Sequence, residues 1–197
     1  MITQLKSELL LITRRCYEGG LQTGNGGNLS ARIPGRDAMV VKASEVSFSG
    51  CTETDLVVSD FDGKLLEGGK KPSRESLLHG AVYRALPECM SVVHCHSPWA
   101  TGWASTMEDL PHASYHSAIK MGDQVRVFDT GSYVVPTDFF PDIVNWLQSR
   151  ELARAFLLKG HGQVALGSSP ADAFYTAELV EETAQIAFVA SMLSARK

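Results

Sequence analysis

The stretch Val92-Val93-His94-Cys95-His96 places two imidazoles two residues apart in an apolar run. In an extended strand alternate side chains share a face, so His94 and His96 point the same way and Cys95 points opposite. That spacing sets the two rings about 7 Å apart along the backbone. Two imidazoles so placed can converge on one divalent ion, although two packed histidines at a strand end is the plainer reading of the pair alone. His161 adds a third. It stands between Gly160 and Gly162, directly after Phe156-Leu157-Leu158, in a backbone tight enough to bring an imidazole close to a ligand. Three histidines with an open position make a Lewis-acid set suited to Zn, Fe, Co or Ni rather than a closed structural site.

Glu75 supplies a carboxylate just inside an expected helix start, where it is either a surface cap favoured by the helix dipole or a metal ligand that turns into a base. The run Thr23-Gly24-Asn25-Gly26-Gly27-Asn28 is too rich in glycine for regular structure and lets backbone N–H groups approach an anion, with the Asn28 side chain as a further donor. No Gly-Lys-Ser/Thr follows it, so it is not a P-loop, and its spacing is not the dinucleotide fingerprint. Ser44, Ser73 and Arg74 are further candidate donors that spacing alone does not assemble.

These residues need elements to hold them. Apolar positions Leu5, Leu9, Ile12 and Cys16 predict a helix over 2–17, stopped by Gly19-Gly20. Short strands are expected at 29–33, 39–42 and 56–59, with turns at Pro34-Gly35 and Asp62-Gly63. Ser73 is the expected N-cap of a helix reaching about Ala85. A buried strand over 90–96, a helix from Pro98 through Trp103, a strand over 125–128 and a helix over 139–147 follow. The segment 107–121 has no clear period. Strands at 155–158 and 164–166 flank Gly160-His161-Gly162, and 170–192 reads as a long amphipathic helix with Glu178, Glu181 and Glu182 on its polar side. Interleaved strands and helices without a linker or repeat give one α/β domain.

The 197 residues suffice for a proper core, and a net charge of −4 without a basic stripe argues against nucleic-acid binding. No run approaches the roughly 18 apolar residues that cross a bilayer. Lys6, Glu8, Arg14 and Arg15 break up the N-terminal apolar stretch, so no signal peptide is expected. Four scattered cysteines without CxxC spacing suit reduced thiols in the cytoplasm.

Four stretches in order, Thr23-Gly24-Asn25-Gly26-Gly27-Asn28-Leu29-Ser30, Lys71-Pro72-Ser73-Arg74-Glu75, Val92-Val93-His94-Cys95-His96-Ser97 and Leu158-Lys159-Gly160-His161-Gly162, resemble the class II aldolase/adducin family across nearly the whole chain. The resemblance implies a domain spanning 1–197 with a three-layer α/β/α fold around a central, mostly antiparallel sheet. It implies zinc, or another divalent metal such as Mn2+, Co2+ or Fe2+, held by His94, His96, His161 and Glu75, with Glu75 doubling as catalytic acid/base. Asn28, Ser44 and Ser73 match positions that contact a substrate phosphate, and Tyr115 matches a tyrosine implicated in protonation. A cytoplasmic homotetramer with its site near a subunit interface is expected, acting on a small phosphorylated ketose by retro-aldol cleavage through an enediolate. Relatives use the same site for decarboxylation of 3-oxo-tetronate 4-phosphates or for epimerisation, and adducin-like members are non-catalytic binding modules. Three departures bear on the substrate. Glu45 stands where the aldolases have glycine, Arg74 replaces a second serine and resembles the Lys-Pro-Ser-Lys-Glu form of the decarboxylases, and the chain ends at Lys197 before a tyrosine-bearing tail.

Overall fold

The computed structural model describes residues 1–150 and 152–195. Alternating apolar residues organise the middle of the chain. Strands β1 (Asn28–Arg32), β2 (Ala38–Lys42) and β3 (Leu56–Asp60) form an antiparallel meander, extended by β4 (Leu65–Glu67) through a turn with Gly63 at φ +75. On the other side of β1 lies β5 (Ser91–Cys95), antiparallel to it. With β6 (Arg126–Phe128), β7 (Ala155–Leu158) and β8 (Gly162–Gly167) these make an eight-stranded sheet in the order β4-β3-β2-β1-β5-β8-β7-β6. The pair β6–β7 is the one parallel pairing among the described strands.

The period of two sends neighbouring residues to opposite faces, and both faces are covered. Leu29, Ala31, Val40, Val58, Val93 and Cys95 pack with Leu9, Ile12 and Cys16 of helix α1 (Ile2–Glu18) and with Phe174 of α6 (Pro170–Ser194). The intervening Met39, Val41, Val57, Val92 and Val164 pack with Leu78 and Val82 of α2 (Ser76–Ala85) and with Ile143 and Trp146 of α5 (Phe140–Gln148). Helices α3 (Pro98–Ala104) and α4 (Tyr115–Met121) pack around α6 near the β6–β7 end. The three-layer arrangement around a mostly antiparallel sheet is therefore the one the chain adopts.

Register does the positioning. Asn28 lies opposite His94 and Ser30 opposite Val92, so this part of the sheet turns Asn28, Ser30 and His94 toward α2. Along α2, Glu75, His79 and Tyr83 recur every four residues and stack over them. His79 Nδ1 is 2.8 Å from Ser30 Oγ, which is 2.6 Å from the Tyr83 hydroxyl, and Arg32 donates to the Tyr83 carbonyl at 2.9 Å. A buried polar seam thus registers the helix on β1, and His79 is a packed residue of it.

Local expectations are corrected in two places. The α2 helix begins at Ser76 with Glu75 as its N-cap, not at Ser73. The Pro72-Ser73 segment is held to β2, where the Ser73 N–H donates to the Lys42 carbonyl and Pro72 bridges Ala43, so its backbone is extended before the helix starts. Helix α6 is not amphipathic along its whole length. Phe188, Val189, Met192 and Leu193 are exposed near its end, while Glu181 turns inward to accept from the Trp99 and Ala100 N–H groups at the start of α3.

The height of α2 over the sheet rests on Gly80, where a Cβ would overlap the Phe61 carbonyl. Gly80→Ala is expected to lower the unfolding free energy by about 1–3 kcal/mol in urea denaturation. Gly69→Ala, with open space around it, should leave it unchanged.

Candidate metal centre

His94 is the penultimate residue of the buried strand β5, and its Nδ1 donates to the Gln163 carbonyl of β8 at 2.8 Å. That bond fixes the tautomer and leaves Nε2 as a lone pair facing out of the sheet. His96 follows the strand's last residue, so its ring swings closer to His94 than a continuing strand would allow, with ring centroids 4.9 Å apart. His161 sits in the β7–β8 turn, which Gly160 makes at φ +61 and the His161 N–H closes on the Leu158 carbonyl at 3.0 Å. The His94 Nε2 is 3.1 Å from that of His96 and 3.2 Å from that of His161. Glu75, at the head of α2, brings Oε2 to 3.3 Å from His94 Nε2 and Oε1 to 3.9 Å from His161 Nε2.

This arrangement fits a divalent ion. Two nitrogens each about 2.0–2.1 Å from one tetrahedral ion stand about 3.3–3.4 Å apart, close to the separations from His94. Burial pulls His94, His96 and His161 down to about 4, so all three are neutral ligands at pH 7. Burial pushes the Glu75 carboxyl up, opposed by His161 and by the Asn28 amide that donates to Oε2 at 2.7 Å. Glu75 Oε1 is buried without a hydrogen-bond partner among the described residues. Facing lone pairs and an orphaned carboxylate oxygen call for a cation between them.

Beside the cluster is a cavity of about 160 Å³. Asn28, Ser44, Ser73, Arg74, Glu75 and His96 all line it, so the structure gathers the residues that spacing alone left scattered. Asn28 differs from its expected role in one respect, because its amide is already engaged with Glu75. Glu45 also lines the wall, at φ +61, a left-handed backbone that explains why glycine suits this position.

Tyr115 is not brought to the centre. Ser114 caps α4 through the Ser117 N–H, Ser117 and Met121 turn inward, and Tyr115 in the first turn is 92 % exposed. The phenol at the cavity is Tyr133, whose ring centroid is 5.3 Å from that of His161 and whose face lies 5.9 Å from the Arg74 guanidinium carbon. Lys42 was likewise missed. It lines the cavity yet is buried, donating to the Ala43 and Val46 carbonyls, and burial pulls its ammonium down to about 8. A lysine closing the apolar run Met39-Val40-Val41 just before Ser44 was the available signal. Tyr133, in an irregular loop, left none.

Residues 7–188 match the family described as class II aldolase and adducin N-terminal domain. The chain is 34 % identical over 187 residues to the 3-oxo-tetronate 4-phosphate decarboxylase of Haemophilus influenzae, covering 93 % of this chain and 86 % of that protein. It is 33 % identical over 184 residues to an L-ribulose-5-phosphate 4-epimerase of Salmonella paratyphi C, covering 87 % and 78 %. Its fold superposes on an L-fuculose 1-phosphate aldolase with a TM-score of 0.87 at 30 % identity, over 96 % of this chain and 87 % of that one.

Two outcomes are expected of the centre. Equilibrium dialysis should show near-stoichiometric divalent metal, with affinity reduced by about 100-fold or more in His94→Ala. The pH dependence follows from the histidines. Unfolded, they take up protons below about 6.5, whereas folded they do so only near 4. The unfolded state therefore binds more protons across that window, and stability is lost as pH falls through it. Thermal unfolding of metal-free protein should show a midpoint that drops between pH 6.5 and 4.

Proposed function

The chain belongs to the class II aldolase and adducin family, and from that premise we propose that it is a zinc-dependent lyase that cleaves a small phosphorylated ketose by a retro-aldol reaction. The observation that carries the reading is the Glu75 carboxylate, buried at the cavity wall within 3.3 Å of the His94 lone pair. His94, His96, His161 and Glu75 would hold the ion, which supplies Lewis-acid stabilisation of negative charge developing on substrate oxygens.

The chain's own groups do the rest. Asn28 fixes one oxygen of Glu75 at 2.7 Å and leaves Oε1 to take and return a proton at the reacting carbon. Burial raises the Glu75 carboxyl toward the range in which it can do both. The Gly26 and Gly27 backbone, Ser44 and Ser73 would hold the phosphate, with the Lys42 ammonium behind them. Tyr115, exposed and away from the cavity, can protonate a leaving group only in a neighbouring copy, which accords with the cytoplasmic homotetramer expected of the family. The complete donor set weighs against a non-catalytic binding role.

Arg74 favours a second reading. Its guanidinium lines the cavity against the Tyr133 ring and has no carboxylate partner among the described residues. A fork of N–H donors free beside a metal centre suits the carboxylate of an oxo acid, and the Haemophilus influenzae relative is named as a decarboxylase of one.

The test is product release by zinc-loaded enzyme from ketose 1-phosphates and 3-oxo-tetronate 4-phosphates. Dihydroxyacetone phosphate from a ketose 1-phosphate, with kcat falling about 10²–10⁴-fold in Glu75→Gln, is the expected result. Carbon dioxide from the oxo acids without aldol cleavage would replace it with the decarboxylase reading. No product from either class would sink both.

A further inference from the structure

The glycine run and the metal histidines meet at a side chain that neither motif contains. Gln22 follows α1 past Gly20, at φ +74, and is 2 % exposed. Its position is fixed by main chain, since its N–H and that of Leu21 both donate to the Cys16 carbonyl, at 3.2 and 2.8 Å. Its side-chain Oε1 accepts from the His96 N–H at 2.8 Å, and its Nε2 donates to the Thr23 carbonyl at 2.6 Å. An amide N–H only donates and a carbonyl only accepts, so these two partners determine which way the Gln22 amide faces.

The loop closes over that amide. A Cβ on Gly27 would overlap Gln22 Oε1 and lie 2.9 Å from the His94 carbonyl. A Cβ on Gly26 would come within 2.7 Å of the His96 ring atoms Cε1 and Nδ1, and 3.2 Å from Gln22 Nε2. Gly26 does not have the left-handed backbone of Gly24 and Gly27, so what forbids a side chain there is the imidazole packed against it. Both Gly26 and Gly27 also line the cavity. One loop therefore serves two sites: Gly26 packs against the His96 ring, and both glycines line the cavity.

We propose that Gln22 is a positioning residue that joins the glycine loop and His96 into one unit, so that the anion site and the metal site are held, and disturbed, together. The proposal rests on the metal-centre reading above. It gives the glycines a reason beyond anion contact: they let the loop wrap a buried amide and seat an imidazole. Gln22 touches neither metal nor substrate in this scheme. It acts through the His96 main chain and through the loop.

The test compares wild type with Gln22→Met, which keeps the length and removes both side-chain hydrogen bonds, and Gly26→Ala, which pushes hardest on the His96 ring and only lightly on the Gln22 amide. Three readouts are taken. Zinc dissociation constants come from competition with a chromophoric chelator, the visible absorption of bound Co2+ reports ligand geometry, and calorimetry gives the affinity for inorganic phosphate. Both variants should weaken zinc roughly ten-fold and shift the Co2+ bands. Gln22→Met should weaken phosphate as well. Zinc affinity within two-fold of wild type and an unchanged Co2+ spectrum, with phosphate alone weakened, would reduce Gln22 to a loop residue and overturn the coupling. If Gln22→Met does not fold, Gly26→Ala decides, and wild-type zinc affinity in it overturns the proposal. Wild-type protein that binds no zinc, with His94→Ala indistinguishable from it, overturns the proposal together with the metal-centre reading, a result that the variants alone would not produce.

Discussion

Three neutral imidazoles and a buried carboxylate aimed at one point are a costly arrangement unless a cation lies among them. Lone pairs at 3.1 and 3.2 Å repel, and a carboxylate oxygen buried without a donor among the described residues loses its hydration for nothing. Such a cluster persists only because rigid elements hold each group from behind. The Gln163 carbonyl holds His94, the Asn28 amide holds Glu75, and the Gly160 turn holds His161. The rest of the fold can be understood as the apparatus that keeps these four side chains converged until a cation relieves them.

That apparatus is built from two periods laid across each other. Strand β1 presents Asn28 and Ser30 at a spacing of two, and helix α2 presents Glu75, His79 and Tyr83 at a spacing of four. They mesh because β5 fixes Asn28 opposite His94 and because Gly80 lets the helix descend onto the Phe61 carbonyl. A slip of one residue between β1 and β5 would turn Asn28 to the α1 face and leave Glu75 without its donor.

Much of this was legible in the sequence, for reasons that differ by residue. The paired histidines announce themselves through strand alternation, and His161 through its flanking glycines. The sheet emerges from short apolar runs between turn residues, and the four ordered motifs disclose the family. What stayed hidden depends on contacts that no local pattern encodes. Gln22 meets His96 across 74 residues of chain. Tyr133 reaches the cavity from an irregular loop, and Lys42 looks like an ordinary strand end until the Ala43 and Val46 carbonyls are seen to accept from its ammonium. Ser73 shows the opposite failure, where good capping chemistry lost to a backbone already bonded to β2.

The seam beneath α2 also has a bearing on how the enzyme's kinetics can be read. Burial holds His79 at about 3 and raises the Tyr83 phenol well above its usual value, so neither changes charge near neutrality. Ser30 between them does not titrate at all. The support that sets the height of Glu75 is therefore electrically silent across the range in which assays are run. A pH–rate profile should then carry nothing from this seam, and its inflections report the groups at the cavity, the Lys42 ammonium at about 8 among them.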